Sequence, residues 1–172
     1  MKRILILVIG FIFCSNFIFA QECKYEKNEV DKFTGQRSIL TKAIKVGKGS
    51  KTSNGIKVDK IEFQLKLDKE KRILSLVLTT NGGAIAMKGD EKIMFLLGHD
   101  NNIELKYMSK PATNTANHAG LTYTYDYIID EPNYETFLLE NIKDVRVNFA
   151  DGSFDFSILP DVSTKKIFKC IK

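Results

Sequence analysis

Between Ile61 and Leu67 every second residue is apolar: Ile61, Phe63, Leu65 and Leu67 alternate with Glu62, Gln64 and Lys66. Alternate residues of an extended chain share a face, so this period predicts a strand with one side buried. Asp68-Lys69-Glu70-Lys71 interrupts it, and residues 73–80 run mostly apolar until Asn81-Gly82-Gly83. Two such runs about a short polar turn predict a β-hairpin. A hairpin with one apolar face needs a second layer to cover it, which points to a layered β fold.

The same grammar recurs along the chain. Residues 25–33 and 38–46 flank Thr34-Gly35, residues 92–97 and 103–107 flank Gly98-His99-Asp100-Asn101-Asn102, and residues 145–149 and 154–158 flank Ala150-Asp151-Gly152-Ser153. The last carries an Asp-Gly turn signal. Residues 121–129 alternate as a strand, and Gly47-Lys48-Gly49-Ser50 with Ser53-Asn54-Gly55 mark a loop. In residues 131–141, Pro132 near the start and Tyr134, Phe137 and Leu138 at i, i+3, i+4 predict a short helix. The tail sets Ile167, Phe168 and Ile171 on one helical face, with Ser163 as N-cap. The expected fold is mainly β, an antiparallel β-sandwich or curled sheet of about 8–9 strands with one or two short helices.

The first residues do not follow this grammar. Lys2 and Arg3 precede an apolar run from Ile4 to Ala20 broken by Ser15 and Asn16, and polarity begins at Gln21. A basic start, an apolar stretch and a small final residue predict a secretory signal peptide cleaved after Ala20, leaving a single domain over residues 21–172. The alternative is a retained anchor, since such a run approaches the length that spans hydrocarbon. Cys14 follows Phe13 and Cys23 follows Glu22, which argues against lipoprotein processing. The mature chain is therefore expected to be secreted or periplasmic, with no stable membrane span.

Export bears on the cysteines. Cys23 and Cys170 remain after cleavage, near the two ends, and an oxidising compartment favours joining them. In the loop-entropy picture that closure restricts the unfolded chain by roughly 4 to 5 kcal/mol. The alternative is a pair of free thiols. Cleavage also lowers 26 basic residues to 24 against 21 acidic ones, with Arg37, Arg72 and Arg146 as the remaining arginines. Recognition of phosphates and bases draws on arginine clusters, so no nucleic-acid partner is expected.

Few residues suit catalysis. General-base roles fall to histidine most often, and His99 and His118 are the two present. Neither lies in a metal-ligand or nucleophile motif. Asp151-Gly152-Ser153-Phe154-Asp155 has oxygen donors at alternate positions but lacks the rest of a calcium loop, and reads as a tight turn. No metal and no cofactor is expected. Two features suit binding. Tyr123, Tyr125 and Tyr127 share a strand face with Leu121 and Ile129; exposed, the ladder would stack on sugars or grip a peptide, and buried it is core. The segment from Met108 to Gly120 is longer than an ordinary connection, and its Asn114, Asn117 and His118 carry groups that hydrogen-bond a ligand.

The start Cys23-Lys24-Tyr25-Glu26-Lys27-Asn28-Glu29-Val30-Asp31-Lys32-Phe33-Thr34-Gly35, the central Lys88-Gly89-Asp90-Glu91-Lys92, and Ile142-Lys143-Asp144-Val145-Arg146-Val147 followed by Asp151-Gly152 and Cys170 resemble small secreted proteins of unknown function from Bacteroidetes bacteria. The resemblance spans most of the mature chain. It implies an exported β-rich domain and transfers no catalytic residue. Asn28 and Asp31 fall before the first turn, where their polar groups cap or pin the hairpin.

Three functions follow as expectations. The first is a non-enzymatic binding domain for a glycan or an envelope protein. The second is a structural or assembly protein of the cell envelope that pairs through a free strand edge. The third is a hydrolase built on His99 or His118 with nearby acids.

Overall fold

The computed structural model describes residues 23–81, 83–85, 91–98, 101–108, 113–117, 120–150 and 152–172, with 113–117 described in backbone only. The strands are β1 (Tyr25–Val30), β2 (Arg37–Thr41), β3 (Ile44–Gly47), β4 (Ser50–Lys51), β5 (Lys57–Asp68), β6 (Lys71–Asn81), β7 (Lys92–Leu97), β8 (Asn102–Lys106), β9 (Thr113–Asn117), β10 (Gly120–Ile129), β11 (Ile142–Phe149) and β12 (Gly152–Ser157). Helix α1 (Glu131–Leu139) joins β10 to β11, and α2 (Thr164–Phe168) runs into a 3₁₀ turn, Lys169–Ile171.

All ladders are antiparallel and form two sheets. The larger has the order β1-β2-β5-β6-β10-β9, with β3 and β4 also on β5; the smaller is β12-β11-β7-β8. The alternation at 61–67 acts as expected: Ile61, Phe63 and Leu65 are fully buried. Across β6 they meet Leu78, Leu76 and Leu74 in register. From the smaller sheet, Phe95 and Phe156 set their rings edge-on to Phe63 at 6.2 and 6.5 Å. These contacts make the molecule a β-sandwich. Its two sheets are tied at the flanks by single bridges, Gly47 to Ile158 and Tyr107 to Tyr127.

Helix α1 closes one end. Asp130 caps it by accepting from the Asn133 N–H, and its Phe137 stacks on Phe168 of α2 at 4.4 Å while meeting Phe95 edge-on at 5.2 Å. The tail buries Ile167, Phe168 and Ile171. Ser163 stands at the N-cap position without a side-chain cap bond; instead Asn141 Oδ1 accepts from the Lys165 N–H. Cys23 and Cys170 form a disulfide, Cα atoms 5.5 Å apart, and Tyr25 donates its hydroxyl to the Cys170 carbonyl. The ends of the domain are therefore joined beside the start of β1. Among the described residues no helix is long and apolar enough to cross a membrane.

Two details differ from the sequence expectation. The run 38–46 is two strands, both lying along β5, and the break between them falls where Thr41 Oγ1 accepts from the Leu65 N–H and Gln64 donates to the Thr41 carbonyl. The long segment 108–120 contains β9, which pairs with β10. It is an edge strand of threonine and asparagine, held by main-chain bonds that an apolar pattern does not announce.

Candidate functional site

The ladder Tyr123, Tyr125 and Tyr127 is core. The three are 2%, 0% and 0% exposed, so the exposed-patch alternative does not describe them. Tyr123 Oη accepts from the Ile85 N–H. The rings of Tyr125 and Tyr127 each lie 6.0 Å from that of Tyr107, and Tyr125 is 5.7 Å from Phe149. Burial pushes the Tyr127 hydroxyl far above its ordinary pKa, with Tyr125, Glu91 and Tyr107 adding to the effect. Asn114 and Asn117 lie on β9, which is described in backbone only, and His118, like His99 and Asp151, lies outside the described residues. The structure therefore does not bring these residues together into a described site.

A groove lined by described residues lies elsewhere, over the outer face of the smaller sheet, with a volume of about 840 Å³. Strand alternation builds it. On β7, β11 and β12, Phe95, Val145 and Phe156 point into the sandwich, so Met94, Leu96, Asp144, Arg146, Asp155 and Ser157 point outward. Asn102 of β8 adds an amide, and Lys48-Gly49-Ser50 and Ile158-Leu159-Pro160 form the wall.

Close backbone packing holds that wall. The Leu159 N–H donates to the Val46 carbonyl and the Ile158 N–H to the Lys143 carbonyl, both at 2.8 Å. A Cβ on Gly47 would stand 2.8 Å from Phe156 Cδ2, and one on Gly49 would stand 2.7 Å from the Val58 carbonyl oxygen. Glycine at both positions lets the turn press against β5 and β12.

The polar groups of the floor are ordered. Arg146 Nε and Nη2 donate to Asp155 Oδ1 and Oδ2 at 2.8 and 2.6 Å, a two-pronged pair directly across the ladder. The hydrogen bonds from Arg146 hold the Asp155 carboxyl below the usual carboxylate value, and those to Asp155 raise the guanidinium. Ser157 donates to Asp144 at 2.5 Å. Beside these pairs, on β7, lie the half-buried Met94 opposite Arg146 and Leu96 opposite Asp144. The floor thus offers an apolar strip on β7 with paired charges and a hydroxyl on its β11–β12 side and the Asn102 amide on its β8 side. Among the described residues that line it there is no histidine or cysteine. Among the described residues no cluster of three His, Cys, Asp or Glu is placed to hold a metal.

The sequence reading missed this groove, though one signal was present. A hairpin turning at Ala150-Asp151 pairs residue 146 with 155, so an arginine and an aspartate were already placed opposite each other. The wall was not legible, because it depends on a turn about a hundred residues upstream. No protein-family model, curated protein or solved structure matches the chain.

Proposed function

We propose that this protein is an exported, non-enzymatic binding domain that takes a polypeptide segment in the groove over β7, β11 and β12. The observation that carries the reading is the floor itself, in which Met94 and Leu96 on β7 lie alongside the paired Arg146–Asp155 and Asp144–Ser157 of β11 and β12, with Asn102 of β8 beyond them. Side chains of a bound segment would meet apolar surface along β7, paired charges on its β11–β12 side and the Asn102 amide on its β8 side, and methionine adapts its shape to varied partners. Sugar recognition draws on exposed aromatic faces. Here the tyrosine ladder that would have supplied them is core, which favours a polypeptide over a glycan. Export is supported by the pattern of residues 2–20 and by the disulfide.

The test is selection of a displayed random-peptide library on the oxidised chain from Gln21 onward. Enriched peptides are expected to lose at least about tenfold in affinity on Leu96→Glu, the range set by burying an unpaired charge. Arg146→Ala is expected to weaken a subset of them. Peptides that bind both variants as tightly as the parent, or an oligosaccharide array that yields the tight ligands instead, would overturn the reading.

A further inference from the structure

A different surface, independent of the groove, concerns assembly. Strand β1 is an outer edge of the larger sheet, exposed at every residue from Glu26 to Val30. Both edges of the smaller sheet, by contrast, carry bridges to the larger one. The hairpin of β1 and β2 also holds two of the four exposed large apolar side chains among the described residues, Val30 at 59% and Phe33 at 99%. An open edge flanked by bare apolar groups is a template for another strand.

The hydrogen bonding of the turn shows which groups the edge offers. The Asp31 N–H donates to the Gln36 carbonyl and the Gly35 N–H to the Asp31 carbonyl, so the main chain of Asp31 faces β2. Main-chain groups alternate sides along an antiparallel strand. Glu29 and Lys27, in register with Ser38 and Leu40, therefore bond inward, and Asn28 and Val30 turn their N–H and C=O to the open side.

We propose that two copies of this chain pair through β1, antiparallel about a two-fold axis at Asn28. A two-fold axis that brings the same edge together makes the strands antiparallel. Outward-bonding residues must meet one another, so only registers that shift in steps of two are open. Moving the centre to residue 27 sets Lys27 against Lys27, and moving it to residue 29 sets Glu29 against Glu29. Centred on Asn28, Lys27 of each copy faces Glu29 of the other, at the non-hydrogen-bonded positions where side chains approach most closely. Within one copy Lys27 and Glu29 already lie 3.2 Å apart, so the joined edges hold an alternating cluster of four charges. This register also lays each hairpin tip, with Phe33, against the start of β1 of the second copy, beside Tyr25.

The experiment is sedimentation velocity of the oxidised chain from Gln21 onward over a wide range of concentration. A reversible dimer is expected. Asn28→Pro removes an N–H that β2 does not use, together with the exposed hydrogen bond from Arg37 Nε to Asn28 Oδ1, so the variant should match the unfolding midpoint of Asn28→Ala, which lacks only that bond, and unlike it should sediment as a monomer. Lys27→Glu and Glu29→Lys, each placing like charges opposite, should each weaken the dimer about tenfold, and combining them should restore it. A monomer at all concentrations, a dimer indifferent to Asn28→Pro, or a double reversal that stays monomeric would each overturn the proposal.

Discussion

Two hairpins of this molecule display a cation and an anion on one exposed face, and they use them differently. In β11–β12 the charges sit on different strands, Arg146 opposite Asp155, and satisfy each other across the ladder. In β1–β2 they sit on the same strand, Lys27 and Glu29, and no described strand pairs with β1 on its outer side. The inner faces differ in the same sense. Val145, Val147, Phe154 and Phe156 lock β11–β12 into the core, whereas β1 has only the half-buried Tyr25 packed against it. A hairpin that is complete within one chain can form the floor of a binding groove. One left incomplete on its outer side is suited to assembly.

Phe156→Ala removes a ring that meets both Phe63 and Phe154, and should cost about 3–5 kcal/mol in denaturant unfolding. It should also abolish peptide binding at the groove, which lies directly above. A loss below about 1 kcal/mol would show that β11–β12 is not anchored as described.

The next effect falls on the other hairpin. Replacing Cys23 and Cys170 together by serine should lower stability by about 2–5 kcal/mol. Hydrogen exchange should then show β1 losing protection before β5 and β6, because the disulfide and the Tyr25 contact with Cys170 hold the start of β1. Uniform loss of protection would mean that β1 is as firmly held as the core strands.

The smallest effect concerns the charges themselves. The folded Asp155 carboxyl lies below its ordinary value because Arg146 donates to it. A depressed carboxylate adds stability that is present above the unfolded pKa, near 3.9, and is lost as pH falls through the folded value. Both side chains are more than half exposed, so solvent screening keeps the contribution small. NMR titration of the Asp155 carboxyl should give a midpoint that rises on Arg146→Met. An unchanged midpoint would dissolve the pair.

Much of this architecture could be read from the chain. Phe63 and Leu65 announce β5 by alternation, Pro132 and the Tyr134–Phe137–Leu138 spacing announce α1, and the cysteines near the two ends meet as expected. Thr113 to Asn117 did not announce β9, since an edge strand can form on main-chain bonds alone. The groove was half visible. Arg146 and Asp155 follow from hairpin register, but the wall at Lys48-Gly49-Ser50 needs the approach of β3 to Phe156, which no local pattern encodes. Alternation assigned Tyr123, Tyr125 and Tyr127 to one face, the flanking Leu121 and Ile129 favoured burial of that face, and the structure buries it.

The most direct test of the account is amide NMR shift mapping of the oxidised chain with a library-selected peptide. Changes are expected at Met94, Leu96, Arg146, Asp155 and Ser157 and along the turn at Lys48 to Ser50, while β1 stays silent. Changes centred on β1 and the Phe33 tip, with none on β7, β11 and β12, would contradict the claim that this groove is where the protein binds.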